Sequence, residues 1–485
     1  MEHVLKQKVL SGVFWQGLSN VGNYGLGFIL SVILARLLTP EDFGVVAIIG
    51  VFTALFGVFI DSGFSSALVQ KKDLQEKDCS SVFFLNLVMG GILYALLFVA
   101  APWIADFYAR PELTSYIRVL ALTMIISSFS LVQGTMIYRK MLFHLNFRIS
   151  LISLCISGVV GVGLAYHGYG AWALIVQQLL KAVLTCILQW YWGKWRPVMA
   201  IDFQRLRFMF QFGWKLFCSG LLDCIYNNIY PILIGKLFNL STLSYYNRGN
   251  HIPSLGMSII NSTLGSVLFP AFSSIQNDRE KMRFVMRKAL KSIMFLVIPC
   301  MTLLFVIAEP LVRILYGERW LPSVPFLQIF CIVFLFWPLH TTNLQLLIAC
   351  GRSGIFLILE IIKKMQLVVV ILLTFRHGPL AMAWGLAVAG VFSFIENSWM
   401  SRRLVNYSTW RQVMDLSPVL FVNCFSGLVT WFLCWKLENP WLQIFIAGIT
   451  FSTITLSVSC LFRLIPEDVM ILLRNRNPFR KAIGI

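Results

Sequence analysis

Polar side chains recur at helical spacing inside stretches that are otherwise apolar. In FWQGLSNVGNYGLGF (14–28), Gln16, Asn20, Asn23 and Gly27 share one stripe of a helix, and in WKLFCSGLLDCIYNNIYP (214–231), Ser219, Asp223, Asn227 and Tyr230 again step by three or four. A polar stripe in an apolar helix turns toward protein or water, where it either lines a cavity for a polar ligand or hydrogen-bonds to neighbouring helices. Both readings stand for the Asn and Ser positions. Asp61, Lys181 and Asp223 are more demanding, because an ionisable group at mid-span costs about 2.5–3.5 kcal/mol. Each is expected to line a cavity, to sit in a structural ion pair or hydrogen bond, or to lie at an interface. Lys363 and Lys364, with Glu360 one turn before, read as snorkelling inward.

Catalysis has no candidate. GxxxxGK[ST], HExxH and GxSxG are absent, and the six histidines lie far apart. The glycines of GNYGLG and GVVGVG have nucleotide-like spacing, yet they fall inside apolar stretches and read as close helix-packing positions. The eleven cysteines form no CxxC pair or Cys/His cluster and read as small hydrophobes. No enzyme activity, catalytic residue, metal site or cofactor is expected.

The elements that carry these residues are transmembrane. A chain of 485 residues that is 58% hydrophobic and 13% charged, with a mean hydropathy of +0.77, holds more apolar side chain than a soluble core encloses. With about 20 apolar residues per crossing, spans are expected near 12–35, 43–68, 81–104, 116–138, 149–166, 170–191, 213–236, 252–272, 290–308, 324–350, 354–375, 380–400, 419–436 and 441–462, making fourteen. The first is read as a retained span, being long for a signal-peptide core and lacking a small-residue cleavage site.

Lysine and arginine test this count. With the N-terminus inside, 28 fall in cytoplasmic segments and nine on the other side. The net charge of +19 is thus mostly topology, and with no helix-turn-helix or zinc-finger spacing a nucleic-acid partner is not expected. Among the nine, Arg36 and Lys236 sit at the outer ends of spans one and seven, as if snorkelling to headgroups. The TPED after Arg36 reads as a helix restart, with Thr39 as cap, Pro40 first in the helix and acids in the first turn.

The chain also repeats itself. A shift of about 200 residues lays IDSGFSSAL (60–68) over INSTLGSVL (260–268), pairing Asp61 with Asn261, and Asp223 falls opposite Asn23; APWIADFY then meets EPLVRILY and YHGYGAWAL meets RHGPLAMAWGL. Six spans per copy is an even number, so both copies enter the membrane from the same side, related by a pseudo-two-fold along the membrane normal. The expected architecture is all-α and polytopic: an N-lobe (1–200), a C-lobe (201–405) and a C-terminal hairpin with a basic tail (406–485). Duplicated bundles of this kind rock about a substrate held between them, which makes a transporter the default class.

The ARLLTPEDFG turn after the first span, the YYNRG after the seventh, the six-plus-six repeat and the trailing pair of spans resemble polysaccharide exporters of the multidrug/oligosaccharidyl-lipid/polysaccharide superfamily, in the branch of colanic-acid and teichuronic-acid flippases. The resemblance covers essentially the whole chain. It implies a V-shaped pair of six-helix lobes in a bacterial cytoplasmic membrane, both termini cytoplasmic. It also implies movement of undecaprenyl-pyrophosphate-linked oligosaccharide to the outer leaflet for capsule, exopolysaccharide or O-antigen. Membrane lipids, and glycosyltransferases and a polymerase of the same pathway, are then the implied partners. A pyrophosphate needs cationic or donor-rich surroundings to cross a low-dielectric slab, so Lys215 and Arg248, at opposite mouths, are candidates for receiving and releasing it, with Lys181 as a helper. Asn20, Asn23, Asp61, Asp223, Asn227 and Asn261 complete the expected cavity. Two rivals remain: an ion-coupled multidrug exporter of the same fold, which wants a compact acid-lined pocket, and a membrane glycosyltransferase or polymerase, which wants large loops with catalytic acids.

Overall fold

The computed structural model describes residues 17, 22–71, 73–199 and 201–466. Asn20 and Gln16, the start of the first expected span and the basic tail from 467 lie outside the described residues. Helices follow one another with no strand among the described residues: α1 (Gly22–Leu37), α2 (Pro40–Asp61), α3 (Phe64–Gln70), α4 (Glu76–Phe107), α5 (Leu113–Leu120), α6 (Leu122–Arg139), α7 (Phe143–Tyr166), α8 (Ala171–Gly193) and α9 (Phe203–Leu237). Then come α10 (Leu240–Ser274), α11 (Arg279–Val306), α12 (Ala308–Leu315), α13 (Val324–Leu335), α14 (Trp337–Ala349), α15 (Ser353–Thr374), α16 (Pro379–Val405), α17 (Thr409–Cys434) and α18 (Pro440–Leu461). The protein is an all-α, multi-pass membrane protein.

Every expected span meets a helix, but among the described residues only eleven helical segments are long and apolar enough to cross a bilayer. The three that fall short are α1, described from Gly22 and counted as a shorter apolar helix, α9 and α15. Composition explains the last two. The sequence of α9 carries Lys215, Ser219, Asp223, Asn227 and Asn228, and that of α15 carries Glu360, Lys363 and Lys364.

Local chemistry accounts for the helix ends and breaks. At TPED the Thr39 side chain accepts from the Asp42 backbone while the Asp42 carboxylate accepts from the Thr39 backbone at 2.9 Å, with Pro40 opening the helix. This reciprocal capping box is the restart expected from the sequence. The second span breaks at Ser62 (φ 42°) and Gly63 (φ 75°), where the left-handed backbone ends α2 before α3 resumes. The tenth breaks at Phe336, between α13 and α14.

The chain divides into two compact units, 1–244 and 245–485. In the first, α2 and α3 pack along α9, and α4, α6, α7 and α8 pack side by side. Its core joins Phe64, Leu68, Val82, Phe83 and Val132 to Trp195, Leu206 and Met209. The connector before α9 is therefore tied into the bundle rather than looped out. In the second unit, α11 is central, touching α13, α14, α16 and α17. Its methionine face (Met282, Met286, Met294) packs with Phe272, Leu346, Phe394 and Tyr407, flexible thioethers filling an irregular interior.

Candidate functional site

The longest polar ridge among the expected site residues runs along α9. Lys215, Ser219, Asp223 and Asn227 stand four residues apart, so they lie one above another on one face, and all four are exposed. Tyr230, read from the sequence as part of the same stripe, instead turns into the protein and is 3% exposed. A helix with this ridge against acyl chains would leave a charge and several polar groups without water. Its ridge belongs against an aqueous space or a polar partner.

Backbone contact seats α9 at the break in the second span. A Cβ placed on Gly63 would stand 2.5 Å from the Gly213 carbonyl oxygen, so the two glycines let the chains touch directly. Lys215 follows two residues later. Asp61, at the end of α2, is half-buried, and its Oδ1 accepts a hydrogen bond from the Ser65 backbone at 3.1 Å across the break. The structure thus brings the Asp61 turn and the Lys215 end of α9 together, with Asp61 acting as a cap for α3.

The remaining candidates are dispersed. Lys181 is exposed midway along α8, and Asn23 is half-buried in α1. Asn261 is half-buried in α10, where its Oδ1 accepts from the Thr341 hydroxyl at 2.9 Å, tying α10 to α14. Arg248 is only 7% exposed, and its guanidinium carbon lies 5.2 Å from the Tyr316 ring centroid and 5.3 Å from that of Trp320. Cation–π packing of this kind is worth about 0.5–2 kcal/mol. Arg248 is thus held inside its unit beneath these two rings.

Two polar clusters were missed by reading the sequence alone, and a third, around Lys363, was read there as snorkelling. At the start of α4, Asp78 is fully buried and receives Lys71 at 2.8 Å and Arg205 at 3.1 Å; Arg205 also grips Asp202 at 2.9 Å. Val198 and Asp202 donate their backbone N–H groups to Ser80 and Ser81, each at 2.9 Å. This stitching fixes the first turn of α9 to α4. In the second unit Asp415 receives Arg287 at 2.5 Å, Lys291 at 3.1 Å and the Tyr407 hydroxyl at 2.9 Å. Lys363 pairs with Glu360 at 2.7 Å, while Asn397 and His340 approach to 3.3 Å nearby. The pairing of Glu360 with Lys363 was visible as an i,i+3 spacing. Arg205, which reaches Asp78, and Arg287 and Lys291, which reach Asp415, lie more than a hundred residues away in sequence, and no local pattern announces them.

No metal-binding group of three or more His, Cys, Asp or Glu occurs among the described residues. A family profile described as polysaccharide biosynthesis protein matches residues 33–325. The chain belongs to the polysaccharide biosynthesis protein family. Within reach of this family, the teichuronic acid biosynthesis protein TuaB of Bacillus subtilis is 25% identical over 442 residues, covering 88% of this chain and 89% of its own. The lipopolysaccharide biosynthesis protein WzxC of Escherichia coli is 23% identical, with 88% and 89% covered. Among solved structures, the lipid II flippase MurJ in an inward closed conformation superposes with a TM-score of 0.72 at 16% identity, over 92% of this chain and 98% of MurJ. An inward-facing multidrug resistance MATE transporter gives 0.59 at 16% identity, over 81% and 94%. Those two likenesses show the fold that this family member shares.

Proposed function

We propose that this protein is a flippase that moves an undecaprenyl-pyrophosphate-linked oligosaccharide from the cytoplasmic to the outer leaflet of a bacterial cytoplasmic membrane, by alternating access, for surface polysaccharide synthesis. The observation that carries the reading is the exposed ridge of α9, in a family whose matched relatives are named for polysaccharide biosynthesis. A headgroup of sugars and pyrophosphate needs donors and positive charge along its path, while its polyprenyl tail stays in lipid. Lys215 opens that path at the end of α9 read as cytoplasmic, Asp223 and Asn227 continue it, and Lys181, Asn23, Asn261, Asp61 and Arg248 are assigned to its walls or its second state.

The internal repeat supports lobes at 1–200 and 201–405 with a hairpin at 406–485, and the basic-residue asymmetry supports cytoplasmic termini. Pathway glycosyltransferases and a polymerase are the natural protein partners of such a flippase. The test is leaflet transfer of a fluorescent lipid-linked oligosaccharide by purified protein in vesicles, run beside a small cationic dye. Glycan transfer supports the reading; dye transport without glycan transfer replaces it with a drug exporter of the same fold. Reporter fusions check orientation independently, and a fusion after Arg279 that is active on the exported side would overturn the topology.

A further inference from the structure

Ionisable side chains from three helices meet inside the second unit. His340 stands nine residues before the end of α14 at Ala349, Lys363 ten residues after the start of α15 at Ser353, and Glu396 nine residues before the end of α16 at Val405. In the proposed topology those three ends are cytoplasmic. At 1.5 Å per residue each group is roughly 14 Å from its helix end, which puts all three at one depth in a hydrocarbon layer about 30 Å thick.

Their charges do not balance. Lys363 is mostly buried and donates to Glu360 Oε1 at 2.7 Å, so its charge is already matched. Glu396 has no equivalent bond at Oε2, which is buried with no hydrogen-bond partner among the described residues. Next to it, Asn397 is 2% exposed; its Oδ1 is likewise buried and unpartnered, while its Nδ2 lies 3.3 Å from His340 Nδ1. An amide nitrogen only donates, so that ring nitrogen is the acceptor and the imidazole is neutral. Lys363 is the charged side chain that acts on both Glu396 and His340. Lys364 beside it has an interaction of its own. The other elements packed on α16 carry Cys331 (α13), the basic residues from Arg279 to Lys291 (α11), Arg411 and Asp415 (α17), and Arg376 and His377 at the outer end, and none of these acts on Glu396.

Two carboxylates thus share one ammonium. In water the surplus negative charge would be solvated; inside the bilayer a carboxylate without water or a counter-charge of its own is neutralised by a proton. A hard metal cation would need several oxygen ligands instead, and here an ammonium stands beside the carboxylates. We propose that the junction of α14, α15 and α16 binds one proton, carried by Glu396 while Lys363 is committed to Glu360. The proton comes from water and returns to water, and the carboxyl O–H is the one bond made and broken. Uptake and release at this depth let a pH difference across the membrane favour one arrangement of these helices over another. Such a site is independent of the cargo.

Infrared difference spectra of the purified full-length protein read the proton directly, because a protonated carboxyl has a C=O band that a carboxylate lacks and that shifts in heavy water. At about pH 7, well above the ordinary Glu value of about 4.3, wild type should show this band. Glu396→Gln, which keeps the shape of the protonated form, should lose it. Lys363→Met should roughly double it, since Glu360 then lacks its ammonium and takes a proton as well. Glu318→Gln, at an exposed carboxylate near the outer end of α12, should leave it unchanged. In wild type, alkali should bleach the band, whereas exchanging choline for sodium at constant pH should not. A wild type without the band, a band that persists in Glu396→Gln, or no gain in Lys363→Met overturns the proposal. Loss of the band on adding sodium also overturns it, in favour of a sodium site; the wild-type measurements stand even where a variant fails to fold.

Discussion

Helices α9 and α15 both fall short of the apolarity expected of a membrane span, and they do so for opposite reasons. Along α9 the polar residues Lys215, Ser219, Asp223 and Asn227 are exposed as a ridge, while the helix back, through Gly213 and Tyr230, packs inward. In α15 the charge is folded away: Lys363 is 11% and Glu360 31% exposed as side chains, and they bond each other at 2.7 Å. A polar group that faces an open space is available to a ligand. One that is matched within its own helix is neutralised where it stands, and hydropathy cannot tell the two cases apart.

The sharpest break in this comparison is Glu360→Gln. It removes the carboxylate bonded to the partly buried Lys363, and leaving a charged group without such a bond costs about 2–3 kcal/mol. The variant should lose several degrees of thermal stability in detergent, and Lys363→Met added to it should restore most of the loss; a variant as stable as wild type would mean that Lys363 reaches water. Gly63→Ala comes next, because it forces a Cβ into the left-handed region and onto the Gly213 carbonyl. About 2 kcal/mol of strain is expected, read as a lower melting temperature together with slower transfer, since α9 loses its seat.

On α9 itself the effect should be on rate. Lys215→Glu should slow glycan transfer about tenfold, equivalent to about 1.4 kcal/mol, at unchanged melting temperature, with Lys215→Arg close to wild type. Asp223→Ala should likewise lower transfer at normal abundance, and a fall in abundance instead would place Asp223 with the structural pairs.

The smallest effect belongs to the helix caps outside the spans. The backbone N–H of Arg205 holds the Asp202 carboxyl below its ordinary range, and that of Lys281 does the same for Asp278. A depressed carboxyl contributes stability above its unfolded value of about 3.9 and loses it as pH falls through the folded value. Melting temperature should therefore drop slightly more between about pH 5 and pH 3 in wild type than in Asp202→Asn/Asp278→Asn. Parallel curves would remove the caps from the account.

What the sequence made legible was local. The Thr39–Asp42 capping box, the helix positions and the all-α class follow from composition, period and neighbours within four residues. The exposed face of α9 was also readable from spacing, except that Tyr230 was grouped with it; its aromatic ring buries where the shorter side chains stay out. Arg248 shows the limit. Nothing near YYNRG says that Tyr316 and Trp320, some seventy residues on, will cover its guanidinium. The Asp78 cluster was hidden for the same reason, since Arg205 reaches it from α9, 127 residues on. Asp61 was read as a group in need of compensation, and its capping of α3 became visible only when the break at Ser62–Gly63 fixed where the backbone N–H of Ser65 would be.

The lengths of α9 and α10 bear on the lipid itself. Each runs 35 residues, roughly 52 Å at 1.5 Å per residue, against a hydrocarbon layer of about 30 Å. The excess stands beyond the hydrocarbon, because the apolar stretches within them, near 213–236 and 252–272, are 24 and 21 residues long, roughly 36 and 32 Å. Mismatch is set by that apolar length. Lipids a few ångströms thicker or thinner should therefore change how upright these two helices stand, which makes acyl-chain length a physical setting for their tilt.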